Sequence, residues 1–105
     1  MIYLVNSPIL TTDGSYKLQT ISLDDARKMV TAGQYTSAIG HQSTADIMST
    51  LLGVTIAVDR IRISQMVGDQ VLVFALKGRP DIGADLTVDQ LTDMGYTFKL
   101  LTRIE

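Results

Sequence analysis

Residues 34–53 read QYTSAIGHQSTADIMSTLLG, and the order of residue types in this stretch decides the fold. A short, partly apolar run over 34–39 predicts a strand, though a weak one. Gly40-His41 breaks it. Ile47, Met48, Leu51 and Leu52 then recur at the spacing of one helix face. Gly53 stands where a helix C′ residue belongs, because that position favours the left-handed backbone that glycine adopts freely. A strand that turns through glycine into a helix is the repeating unit of an α/β chain.

The flanks extend the pattern in both directions. Residues 1–5 predict a buried strand ended by Asn6, Ser7 and Pro8. Asp13-Gly14 marks a turn, and Tyr16–Ile21 alternates as a second strand. Ser22 has the character of an N-cap, with Asp24 and Asp25 in a first turn whose dipole favours anions. Leu23, Ala26, Met29 and Val30 share one face of the helix that follows. Beyond Gly53, residues 54–58 form a short apolar segment. Residues 60–66 begin with the alternation Arg60, Ile61, Arg62, Ile63, Ser64. The turn Val67-Gly68-Asp69 separates them from 70–76, the most apolar run in the chain, and the two runs predict a hairpin. Residues 77–86 carry Gly78, Pro80 and Gly83 without periodicity and predict a flexible loop. Thr87 and Gln90 form a capping box for a short helix, and 96–104 predict a last strand. The expectation is a single α/β domain over residues 1–105: a small mixed sheet of about five strands with packed helices.

Composition bounds the function. The chain has 105 residues, 46% of them hydrophobic, enough for one packed core. With no cysteine there is no disulfide, thiolate-held zinc or thiol catalysis, and with one histidine a multi-histidine metal site within the chain is excluded. The opening residues lack the basic region of a signal peptide. No apolar run approaches the roughly 20 residues of a membrane span, so no membrane partner is expected and a cytoplasmic location is. Net charge is −2, which does not suit a binder of long nucleic acid. Yet Arg60, Arg62, Lys77 and Arg79 gather in the second half. A local basic patch on an acidic protein suits a small anionic ligand.

His41 is the candidate centre of any chemistry. A lone histidine is usually an ordinary surface or core residue. This one follows a strand end and precedes a helix start, where Gln42, Ser43 and Thr44 offer polar side chains and N–H groups without intrahelical acceptors. Such an end attracts anions, and a histidine beside a phosphate can act as general acid. Ser43 and Thr44 could equally be plain caps. Arg60 and Arg62 face one side of their segment, either as a solvated face or toward a ligand. Arg79, in a Gly/Pro loop, could hold phosphate in a bidentate manner or simply be solvated. Asn6 ends the first strand, a frequent ligand position in α/β sheets, and it could also be a turn residue. Asp81 and Asp85 make no metal motif, so no metal and no cofactor are assigned.

The run from Ser37 through Gly40-His41-Gln42-Ser43-Thr44 to Gly53 closely resembles the signature of the viral ring nucleases. These are anti-CRISPR enzymes that destroy cyclic tetra-adenylate, the second messenger of type III CRISPR defence. Tyr3-Leu4-Val5-Asn6, the segment Asp59-Arg60-Ile61-Arg62-Ile63 and the Arg79 loop fall in the family's order at nearly its spacing. The likeness spans almost the whole chain. It implies a small α/β domain that forms a homodimer, with the ring across the two-fold axis. It implies a reaction without metal, in which a ribose 2′-hydroxyl attacks the adjacent phosphate and leaves a 2′,3′-cyclic phosphate. Carried over position by position, it makes His41 the general acid and Arg79 its phosphate-binding catalytic partner. Arg60, Asn6, Ser43 and, beside Ser43, Thr44 become ligand-binding residues. The family usually carries a glutamate shortly after the loop arginine. Here that run is Arg79-Pro80-Asp81-Ile82-Gly83, with Ile82 at the matching position and Asp81 one residue off. Three readings follow: a ring nuclease acting on cyclic oligoadenylate, a protein that binds such a messenger without turnover, and a DNA-binding regulator using Arg60 and Arg62. The low net charge and the lack of a recognition-helix motif weigh against the third.

Overall fold

A computed structural model describes residues 2–6, 13–32, 35–59, 61, 63, 65–77 and 87–105. The elements run β1 (Ile2–Val5), β2 (Tyr16–Ile21), α1 (Leu23–Thr31), β3 (Thr36–Ser37), α2 (Gln42–Leu52), β4 (Gln70–Leu76), α3 (Val88–Met94) and β5 (Tyr96–Arg103). The strands form a five-stranded mixed sheet in the order β2-β5-β4-β1-β3. β1 is parallel to both β3 and β4, and β5 is antiparallel to both β2 and β4.

The caps are those the sequence implies. Ser22 Oγ accepts from the Asp25 N–H at 3.1 Å and starts α1. The Thr87–Gln90 capping box closes in both directions and starts α3. Gly53 ends α2 at φ 74°, a left-handed conformation that a side chain would strain.

One face of the sheet carries the helices. Leu4, Leu72, Phe74 and Phe98 from the strands pack with Ala26 and Val30 of α1, Ala45, Met48, Leu51 and Leu52 of α2, and Leu91 of α3. Phe74, Tyr96 and Phe98 form an aromatic group there, with Phe74 and Phe98 centroids 5.2 Å apart. Val5, Val71, Val73 and Leu101 form a second cluster on the opposite face, against which Ile63 packs. β4 is therefore buried on both faces, which is why its sequence is almost unbroken apolar.

The expected hairpin between 60–66 and 70–76 does not form. Next to the turn both edges of β4 are taken, by β1 over Gln70–Val73 on one side and by β5 on the other. The turn itself is present, with Gly68 at φ 89°. Ahead of it, the buried Gln65 sends its amide to the carbonyl oxygens of Asp69 and Leu101, at 2.7 and 3.0 Å. Arg103 Nη1 donates to the Gln65 carbonyl at 2.6 Å. These bonds tie the segment across the sheet rather than along its edge. Alternation of apolar and polar residues fits a segment packed on a sheet as well as a strand within it. Residues 61, 63, 65 and 66 belong to no strand, and Arg60, Arg62 and Ser64 lie outside the described residues. The weak strand over 34–39 is real but shrinks to Thr36–Ser37. The expected loop at 77–86 falls outside the described residues apart from Lys77.

Among the described residues no helix is long and apolar enough to cross a membrane.

Candidate functional site at the end of the parallel strands

The three parallel strands stand in the order β3-β1-β4, and α2 follows β3 in the chain. In such sheets the crevice beyond the carboxyl ends of the strands is the usual ligand position, because connections diverge there. A cavity of about 320 Å³ occupies this place. Asn6 just after β1, Ser43, Thr44 and Ile47 on the first turns of α2, and Phe74, Ala75 and Leu76 at the end of β4 line it.

Asn6, far in sequence from the adjacent Ser43 and Thr44, thus meets them at one cavity. Asn6 and Ser43 are exposed and Thr44 is half-buried, so their polar groups are available to a ligand. Ala45 N–H donates to the His41 carbonyl at 3.1 Å, which closes the first turn of α2 and leaves Gln42, Ser43 and Thr44 as its first three residues. Their N–H groups have no intrahelical acceptor and carry the positive end of the helix dipole.

His41 is the N-cap residue itself, extended at φ −130° and ψ 133°, and exposed. Its side chain makes no capping bond. It is not among the residues lining the cavity; it stands two residues ahead of Ser43, at the mouth of the helix. Gln42, by contrast, is committed to Asp46 Oδ1 at 2.7 Å.

The segment after α2 returns along the outer side of β3. Ser49 Oγ accepts from the Ile56 N–H at 2.8 Å, and Ser37 Oγ donates to the Ala57 carbonyl at 2.6 Å. Asp59 N–H then donates to the Ile39 carbonyl at 2.8 Å, beside the strand that leads into His41. Arg60 and Arg79, the two expected phosphate-binding cations, lie outside the described residues, as do Asp81 and Ile82. Among the described residues no group of three His, Cys, Asp or Glu side chains is placed to hold a metal.

Sequence reading missed the β4 end and the place of Ile47 beside it. Residues 74–76 belong to an apolar run that reads as core throughout. Only its length, seven residues against four in its parallel neighbour, hints that its end outruns β1.

Comparison with known proteins agrees with this architecture. The chain is 32% identical over 111 residues to ORF117 of Acidianus two-tailed virus, covering 100% of this chain and 95% of that protein. It is 35% identical over 106 residues to YddF of Bacillus subtilis strain 168, covering 99% and 98%. B116 of Sulfolobus turreted icosahedral virus shares the fold, with a TM-score of 0.86 over 97% of this chain and 98% of that one, at 20% identity. Residues 2–98 match the STIV B116-like family, and by that match and the full-length likeness to these relatives the chain belongs to it.

Proposed function

We propose that this protein is a metal-independent ring nuclease that opens cyclic oligoadenylate, with cyclic tetra-adenylate as its substrate, and so counters type III CRISPR signalling in the host cytoplasm. One observation carries the reading: Asn6, Ser43 and Thr44 converge on a cavity at the ends of the parallel strands, beside the N-cap His41. This is where the resemblance to the viral ring nucleases calls for ligand-binding residues and a general acid.

The chemistry needs little from the protein. The 2′-hydroxyl oxygen attacks the adjacent phosphorus, and the bond from phosphorus to the 5′-oxygen breaks. His41 gives its proton to that leaving oxygen and is reprotonated from solvent, which also receives the 2′-hydroxyl proton. The products end in a 2′,3′-cyclic phosphate. Because the nucleophile belongs to the substrate, holding the ring in an in-line geometry supplies much of the acceleration. Arg60 and Arg79 hold phosphates, and the α2 N–H groups assist. A homodimer presents every site residue twice. Two copies each of Arg60 and Arg79 then match the four phosphates of a ring that has two-fold symmetry itself.

A second reading rests on Ile82, which stands where the resembling family has a glutamate. Without that carboxylate the protein would bind the messenger and sequester it. Incubation with labelled cyclic tetra-adenylate and product analysis decides between the two. Linear products ending in cyclic phosphate mean a nuclease. Tight binding with intact ring means a sponge. Neither binding nor cleavage removes both.

A further inference from the structure

The end of β4 outruns its parallel neighbour. β1 pairs with β4 only as far as Val5 opposite Val73, whereas β5 continues to Tyr96 opposite Leu76. The bonds at the two ends of β4 show which way its main chain faces. Arg103 N–H donates to the Asp69 carbonyl at 3.2 Å, and Lys77 N–H donates to the Gly95 carbonyl at 2.8 Å. Odd-numbered residues of this strand therefore turn their N–H and C=O toward β5. By alternation Phe74 and Leu76 turn theirs toward the β1 side. β1 agrees: Ala38 N–H donates to the Leu4 carbonyl at 2.9 Å, so Leu4 faces β3 and Val5 faces β4. Past Val5, the Phe74 carbonyl and the Leu76 N–H project along an edge that no described strand covers.

This edge borders the cavity. Successive side chains of a strand point to opposite faces, yet Phe74, Ala75 and Leu76 all line the one space. That three consecutive residues line it places the cavity at the end of the strand rather than over one face of the sheet.

We propose that this edge selects adenine as the base of the bound nucleotide. The Phe74 carbonyl and the Leu76 N–H set an acceptor beside a donor. Adenine offers the complement, the N6 amino donor beside a ring-nitrogen acceptor. A purine with oxygen at C6 presents two acceptors on its N7 edge, which sets oxygen against the Phe74 carbonyl. Ile47 and Leu76 supply apolar contact for the ring, and the Asn6 carboxamide with the Ser43 and Thr44 hydroxyls supplies polar contact for the sugar and phosphate. A volume of about 320 Å³ is within the range of small-ligand sites. The inference rests on the cyclic oligoadenylate reading for the identity of the ligand, and it adds the groups by which the base is chosen.

The test is an NMR titration of the full chain with 5′-AMP and, separately, with inosine 5′-monophosphate. The Leu76 amide should shift saturably with AMP, and the inosine nucleotide should bind about tenfold more weakly, as for one hydrogen bond replaced by an unsatisfied pair. Leu76→Pro deletes an N–H that the β5 ladder does not use, so it should abolish the preference. Leu76→Ala removes apolar contact but keeps the N–H, so it should weaken both nucleotides alike and keep the preference. If the proline variant does not fold, the two titrations of the unmodified protein decide. Equal affinity for both nucleotides, or no shift at the Leu76 amide, overturns the proposal. AMP preference without cleavage of cyclic tetra-adenylate removes the nuclease reading and leaves the base site. Cleavage without AMP preference does the reverse.

Discussion

The Asp59 N–H donates to the Ile39 carbonyl at 2.8 Å, and this bond brings the residue before Arg60 beside the strand that delivers His41. Nineteen residues of helix and return segment lie between the two partners, so nothing local explains their meeting. It gives a structural reason to test Arg60 and His41 as members of one site.

Arg60→Ala and Arg79→Ala should each weaken binding of cyclic tetra-adenylate by about 10- to 100-fold, the loss expected for one charge-assisted phosphate contact. Affinity should also fall as salt rises, because phosphate neutralisation releases counterions. Isothermal titration at two salt concentrations reads both effects. Unchanged affinity in both variants moves the phosphate site elsewhere.

His41→Ala should slow cleavage by about 10²–10⁴-fold, the usual contribution of a general acid. Binding should survive, since in the proposed site arginines and helix-start N–H groups hold the phosphates. Single-turnover kinetics with saturating protein separates the two. A variant that cleaves at the rate of the unmodified protein shows that another group protonates the leaving oxygen.

Cleavage should proceed unchanged in EDTA, because the nucleophile is the substrate's own hydroxyl. Loss of activity on chelation, restored by a divalent ion, would overturn the mechanism.

Light scattering at micromolar concentration should report a homodimer, since the ring needs each site residue twice. A monomer with and without ligand would exclude a site built across a two-fold axis.

Met48→Ala should lower stability by about 2–5 kcal/mol, because this side chain is 0% exposed between α2 and the sheet and its loss leaves a cavity. Gly53→Ala should cost about 1–2 kcal/mol, since φ 74° strains any L side chain. Urea unfolding checks both: the midpoint should fall with the slope unchanged. A Gly53→Ala midpoint equal to that of the unmodified chain would mean α2 ends differently.

Local chemistry is what the sequence determined alone. Ser22, Gly53 and the Thr87–Gln90 pair set helix boundaries through bonds that span three or four residues, and such signals do not depend on the rest of the chain. The apolar run over 70–76 marked a strand, and the structure showed it buried on both faces. Asn6, Ser43 and Thr44 were legible as candidate site residues because strand ends and helix starts leave polar groups without partners. Tertiary structure decided the rest. Alternation at Arg60-Ile61-Arg62-Ile63 could not distinguish a hairpin strand from a segment packed over the sheet; occupation of both β4 edges by β1 and β5 did that. The same pairing made β4 three residues longer than β1, which leaves Phe74 and Leu76, whose side chains pack in the core, also bordering a cavity. Strand partners are chosen by contacts between residues distant in sequence, and no periodicity within a strand records which neighbour it will have or where that neighbour stops.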